Sequence, residues 1–160
     1  MYKFIFIIIL LQSCMSIGKL PNDLPQSILI IELLPLNYDD LYDSKTTDKE
    51  KKWFAEKASK NKLINEKTIN IFSKYPYSVK FVQPNEIVKA YDSTKTNYLL
   101  GYGMSKITET QYNNFIITYQ IKNIFLQNLL TGTVVKNYRV TTNINAIAPK
   151  FVDKAIKLTP

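Results

Sequence analysis

SILIIELL, residues 27 to 34, is an almost unbroken run of branched apolar residues, and Pro35 closes it. A strand with one wet face alternates apolar and polar residues, whereas a strand buried on both faces reads as a continuous apolar stretch. The run therefore predicts an interior strand of a sheet that is covered on both sides. The chain downstream offers the covering elements. Residues 37–48 are polar and bring together Tyr38, Asp39, Asp40, Tyr42, Asp43 and Asp48. Four aspartates could hold calcium in principle, but their spacing follows no calcium-loop pattern. A solvated loop leading into a helix is the simpler reading, with Asp48 as the helix cap and Glu50 favouring the first turn.

From Lys49 to Tyr75 there is neither glycine nor proline until Pro76, which predicts a long helix. Trp53, Phe54, Ala58, Leu63, Ile64, Ile69, Ile71 and Phe72 are its expected apolar contacts, and Lys60-Asn61-Lys62 marks a candidate break. Tyr77 to Val82 alternates and reads as a strand, closed by Pro84. Asn85 caps a short helix that runs to Tyr91. Tyr98 to Met104 reads as a central strand in which Gly101 and Gly103 permit close approach of a neighbour. Phe115, Ile117, Tyr119 and Ile121 alternate with Ile116, Thr118, Gln120 and Lys122, the pattern of a half-buried strand. Leu129-Leu130-Thr131-Gly132 turns the chain, with Gly132 suited to positive φ, and Thr133 to Thr141 returns as the hairpin partner. Pro149 fits the first turn of a last helix. Along it Phe151, Val152, Ala155, Ile156 and Leu158 form an apolar stripe opposite Lys150, Asp153, Lys154 and Lys157. Strand, long helix, strand, short helix, three-strand meander and terminal helix make a single α/β (α+β) domain. Its sheet is mixed, in the order β-α-β-(α)-β-β-β, with a C-terminal amphipathic helix. It is expected to span residues 27–160.

Upstream of the run, residues 14–26 read as a short tether containing Pro21 and Pro25. Residues 1–13 have the three-part layout of a secretory signal. Lys3 charges the head, Phe4 to Leu11 is purely apolar, and Gln12-Ser13 restores polarity. Eight apolar residues fall far short of the ~18–20 needed to span a bilayer. Leu11-Gln12-Ser13-Cys14 resembles the lipobox of bacterial lipoproteins. That resemblance implies cleavage before Cys14 and a diacylglycerol on its sulfur. Two or three acyl chains hold a protein to a membrane where one does not. Cys14 is the only cysteine of the chain, so neither a disulfide framework nor a thiol nucleophile is expected in the domain. No aspartate stands next to Cys14 and Met15 to Lys19 hold no acidic cluster, which by the sorting rules of such lipoproteins implies an outer-membrane anchor facing the periplasm.

Composition narrows the chemistry. The formal net charge is +8, with 21 basic residues, and Arg139 is the sole arginine among them. Nucleic-acid readers lean on arginine forks, and scattered lysines argue for a solvated basic surface instead. With no histidine in the chain, a Ser-His-Asp triad and the usual zinc sites are excluded. Four glycines leave no phosphate-binding loop of either common type. No cofactor and no metal are expected.

The element order, the segment Tyr98-Leu99-Leu100-Gly101 and the turn Asn128-Leu129-Leu130-Thr131-Gly132-Thr133-Val134 are similar to a small periplasmic fold. It is the one shared by the TolB amino-terminal domain and the lipoproteins CsgG and LpoB. The similarity covers about residues 27 to 158 and rests on strand and hairpin chemistry rather than on an active site. Asn128 stands where that family often has aspartate. The resemblance implies binding rather than catalysis, since its members assemble pores, join envelope complexes or touch a synthase. No stretch reads as a long amphipathic strand that would form a pore by itself. The expectation is thus a lipid-anchored adaptor or assembly factor, not an enzyme, with an envelope protein or a second copy of itself as partner. Two alternatives stay open: a carrier of lipid or small apolar ligands, and a glycan enzyme working through carboxylates such as Glu32, Asp92 or Glu109.

Overall fold

The computed structural model of the protein describes residues 17–39, 42, 45–112, 115–139 and 144–158, and for 104–112, 115–122 and 139 the backbone alone. Five strands form one mixed sheet: β1 (Ile28–Glu32), β2 (Val79–Val82), β3 (Asn97–Tyr112), β4 (Phe115–Asn128) and β5 (Val134–Arg139). Their order is β2-β1-β3-β4-β5. β1 runs parallel to both of its neighbours, and β3, β4 and β5 form an antiparallel meander. Among the described residues three α-helices accompany them: α1 (Asp48–Phe72), α2 (Ile87–Ala90) and α3 (Ala148–Ile156). This is the mixed-sheet α+β fold expected from the sequence, with its C-terminal helix.

The two faces of the sheet explain the apolar run. Leu29 and Ile31 belong to a large core with Phe72, Leu100, Leu126 and Phe151. Ile28 and Ile30 belong to a smaller one with Val82, Ala90 and Leu99. Successive side chains of a strand point to opposite faces. Both faces of β1 are covered, so none of its first four positions can be polar. Each fully buried Leu or Ile is worth about 1.5–3 kcal/mol.

α1 departs from the expectation in three ways. Its cap is Thr47, not Asp48: the Thr47 hydroxyl accepts from the Glu50 backbone N–H (3.3 Å), and the Glu50 carboxylate accepts from the Thr47 N–H (2.8 Å). That reciprocal pair satisfies two otherwise orphaned donors. The helix also runs through residues 60–62 without a break, because Asn61 is buried rather than solvated. Finally, its buried positions are mostly polar: Asn61, Asn65 and Thr68 precede Phe72, while Trp53 and Leu63 are exposed. The polar positions replace partners that the neighbouring loop lacks. Asn65 donates to the Leu34 carbonyl and accepts from the Leu34 N–H, both at 2.9 Å. Asn61 donates to the Pro35 carbonyl (2.8 Å) and the Tyr38 hydroxyl (2.7 Å).

Residues 17–26 also differ from the reading. They were expected to lie off the domain as tether, yet Ile17, Leu20 and Leu24 are in the large core. Pro25 sits in a short 3-10 turn, Leu24–Gln26, which feeds β1. Tyr98 donates to the Asp23 carboxylate (2.8 Å) and locks that turn onto β3. Burial, and then the Asp23 charge, push the Tyr98 hydroxyl up to about 12. α3 packs as expected, with Phe151, Val152 and Ala155 buried and Leu158 against the core, although Ile156 faces solvent. The short helix is a 3-10 turn from Pro84 that passes into α2, capped by Gln83 rather than Asn85. Gly132 has φ 69°, as the hairpin reading requires. Asn128 holds the same turn: its side-chain oxygen accepts from Leu130 (2.9 Å) and Thr131 (3.2 Å). An aspartate would present the same acceptor to this turn, but not the amide donor with which Asn128 meets the Tyr98 hydroxyl.

Candidate interaction surfaces

The predicted anchor, Leu11, Gln12, Ser13 and Cys14, lies outside the described residues. The other candidate residues are placed, and they do not converge. Asp92 sits at the loop before β3, where its N–H donates to Asn97 and its carboxylate accepts from the N–H and hydroxyl of Thr94. The Thr94 hydroxyl and amide are the main reason its pKa lies below the usual carboxylate value. Glu32 ends β1 at the opposite edge of the core. Four residues of strand separate Glu32 from the level of Asn97, roughly 13 Å. Glu109 is farther along β3 again, opposite Thr118. No two of these carboxylates share a site, so an acid–base pair is not assembled from them.

Glu32 has a different role. Its carboxylate accepts from the Tyr102 N–H at 2.8 Å, just beyond the last β1–β3 residue pair, Ile31 with Leu100. A Cβ at Gly101 would stand 2.7 Å from Glu32 Oε2 and 3.1 Å from the Phe125 ring. The side-chain-free position is what admits the carboxylate. Burial raises the Glu32 pKa, and the Tyr102 N–H offsets part of that. The carboxylate thus ends β1 by standing in for the next strand residue. The close approach expected at Gly101 and Gly103 is real: the Phe125 ring lies over both, 3.0 Å from a Cβ at Gly103.

Past that point the sheet narrows to two strands. β3 and β4 run to 16 and 14 residues, about twice the lengths read from the sequence. β1 pairs with β3 only as far as Leu100, and β5 pairs with β4 only over Asn123–Gln127. Residues 104–112 and 115–122 therefore pair with each other and, among the described residues, with no third strand. Nine residues of strand make an arm about 30 Å long. At its root Met104 pairs with Lys122 and Lys106 with Ile121, so Ser105 is an extra residue. Such a bulge increases local twist and re-aims the strand beyond it. By register, Lys106, Thr108, Thr110, Tyr112, Phe115, Ile117, Tyr119 and Ile121 share one face of the arm, while Ile107, Glu109, Gln111, Ile116, Thr118 and Gln120 share the other. Among the described residues no strand pairs with either outer edge, and natural sheets usually cover or shorten such edges.

A second feature is aromatic. Phe54 stacks on Tyr38 (5.2 Å between ring centres) and meets Trp53 edge-on (5.0 Å), with Lys57 Nζ 4.7 Å from the Trp53 ring centre. These contacts fasten the loop after β1 to the first turns of α1, which is a sufficient reason for them. In the acidic loop, Asp40 and Asp43 lie outside the described residues. Among the described residues no three acidic or sulfur side chains gather as a metal site would require. No described helix is long and apolar enough to cross a membrane.

No protein-family model matches the chain, and no curated protein matches it significantly.

Proposed function

We propose that this protein is a lipid-anchored envelope adaptor or assembly factor, which binds a partner protein by adding the β3–β4 arm to it as strand. The arm carries the reading. A peptide strand that pairs with an exposed edge gains main-chain hydrogen bonds, and alternate side chains supply the selectivity. An arm of this length, with no third strand on it among the described residues, is a liability unless something uses it. The Leu11–Cys14 lipobox supports an anchor on the periplasmic face of the outer membrane, and the likeness to the TolB/CsgG/LpoB-type periplasmic domain supports binding over catalysis. Glu32, Asp92 and Glu109 stand apart, which weighs against a glycan enzyme built on these three carboxylates.

Two measurements test the reading. The intact mass of the membrane-purified protein is expected to show loss of residues 1–13 and added acyl mass, with Cys14→Ala left uncut. Replacement of residues 105–121 by Asn-Gly joins the paired residues Met104 and Lys122 through a two-residue hairpin. After cross-linking in envelope membranes, the wild type is expected to retain a stoichiometric partner protein and the shortened chain to lose it. Equal capture by both chains would sink the arm as the binding element, and co-purified lipid in place of protein would favour the carrier alternative.

A further inference from the structure

We infer that the α3–β5 side of the domain faces the membrane and rests against anionic phospholipid headgroups. The inference depends on the Cys14 anchor proposed above. Ile17 is 1% exposed, so the packed domain begins three residues after Cys14. Three residues span at most about 11 Å when fully extended. That is close to the distance over which surface charges act at physiological salt, ~8 Å. A domain held so near the bilayer has little freedom to choose which side it shows.

The side it shows is fixed by where the chain joins it. At Gly18 the chain runs between α3 and β5: Lys154 Nζ donates to the Gly18 carbonyl at 2.6 Å. Lys136 Nζ, from β5, stands 2.6 Å from where a Cβ on Gly18 would be. Lys19 follows and is exposed. On α3 and at its C-cap, Lys150, Lys154 and Lys157 recur at helical spacing on the exposed side, with Asp153 the one acid among them. Phe151, Val152 and Ala155 are buried on the opposite side, so this lysine row cannot rotate away. Lys136 and Lys154 thus flank the chain where the anchor joins it, Lys19 follows directly, and Lys150 and Lys157 extend the row along the α3 side. α1 is the contrast, since its exposed lysines are interleaved with Glu50, Glu56 and Glu66. Lysine suits a diffuse field of headgroups, because a compact ammonium needs no fixed fork geometry.

The test uses the full acylated protein in vesicles of phosphatidylcholine, with and without phosphatidylglycerol. Acetylation rates of individual lysines are read by mass spectrometry. Lys19, Lys150 and Lys157 are expected to react more slowly in the anionic vesicles. The expected factor is roughly fivefold, which corresponds to about 1 kcal/mol per lysine at an anionic surface. High salt should restore them, and Lys51 and Lys60 on α1 should not change. An acylated protein whose α3 lysines react equally in both vesicles, or no more slowly than those of α1, overturns the inference. A protein whose intact mass shows no acyl group overturns both the inference and the anchor, and the same sample distinguishes the two failures.

Discussion

The two ends of β3 carry the same ladder to β4 but live in different surroundings. From Tyr98 to Leu100 the strand lies between β1 and β4, with all three residues buried in one core or the other. From Met104 to Tyr112 its one partner among the described residues is β4. One half of the strand is held by packing on both faces, and the other by a single hydrogen-bonded neighbour. A two-stranded ribbon is marginally stable in water on its own. The difference shows how a small domain keeps its stability in one place and exposes strand in another. Perturbations of the core end should therefore be felt throughout the molecule, and perturbations of the arm should not.

The largest expected effect is at the core end. Phe151 is fully buried on α3, 5.9 Å between ring centres from Phe72, and Phe151→Ala should cost about 3–5 kcal/mol in urea melts. A loss under about 1 kcal/mol would mean that α3 is a detachable arm rather than a wall of the core. Asn65→Ala should cost about 1–3 kcal/mol by the same measurement. It strips both partners from Leu34, and the lost groups would be left part-buried and unpaired.

Glu32 sits where the two regimes meet, and its effect is a slope rather than a large step. Its pKa is raised in the folded protein, so the folded state holds its proton more tightly than the unfolded chain does. The associated stability is fully present below the ordinary value near 4.5. It is lost as pH rises through the raised value. Glu32→Gln keeps an acceptor for the Tyr102 N–H and should flatten this part of the pH–stability curve, without lowering stability at neutral pH. A mutant curve parallel to the wild type would show that Glu32 does not carry the dependence. The smallest effect is expected for the Asn-Gly replacement of residues 105–121, whose melt should match the wild type. A drop comparable to that of Phe151→Ala would erase the distinction between the two ends.

The core end was legible in the sequence, whereas of the arm only the returning side, Phe115 to Lys122, read as strand, for a physical reason. Burial on two faces leaves an unbroken apolar run, and Ile28 to Ile31 announces β1 plainly. The apolar stripe of α3 and the glycine of the β4–β5 turn are equally direct. In the arm, residues 104–111 read Met-Ser-Lys-Ile-Thr-Glu-Thr-Gln, which resembles loop because neither face is required to be apolar. Only the register with residues 115–122 reveals strand there, so β3 runs on to Tyr112 past Met104, where the sequence reading ends it. α1 misled in the opposite sense. Apart from Phe72 its buried positions are two amides, which bond to the loop beside them, and a hydroxyl, and apolar periodicity cannot see such a face. In residues 17–26 two prolines suggest an extended linker, while Ile17, Leu20 and Leu24 are the stronger signal.

β1 lies between two strands that come after it in the chain: its partners Val79 and Asn97 come ~50 and ~70 residues later. The meander, by contrast, closes between immediate neighbours. Local pairings form before distant ones because their loops cost less entropy to close. During folding, then, the most apolar segment of the domain waits unpaired while β3, β4 and β5 assemble without it. A chain delivered unfolded across a membrane would hold an open Ile-Leu-Ile-Ile segment for that interval, the kind of exposure that aggregates or recruits a chaperone. Pulse-labelled hydrogen exchange during refolding should protect β4 and β5 amides ahead of those of β1, and simultaneous protection would refute that order.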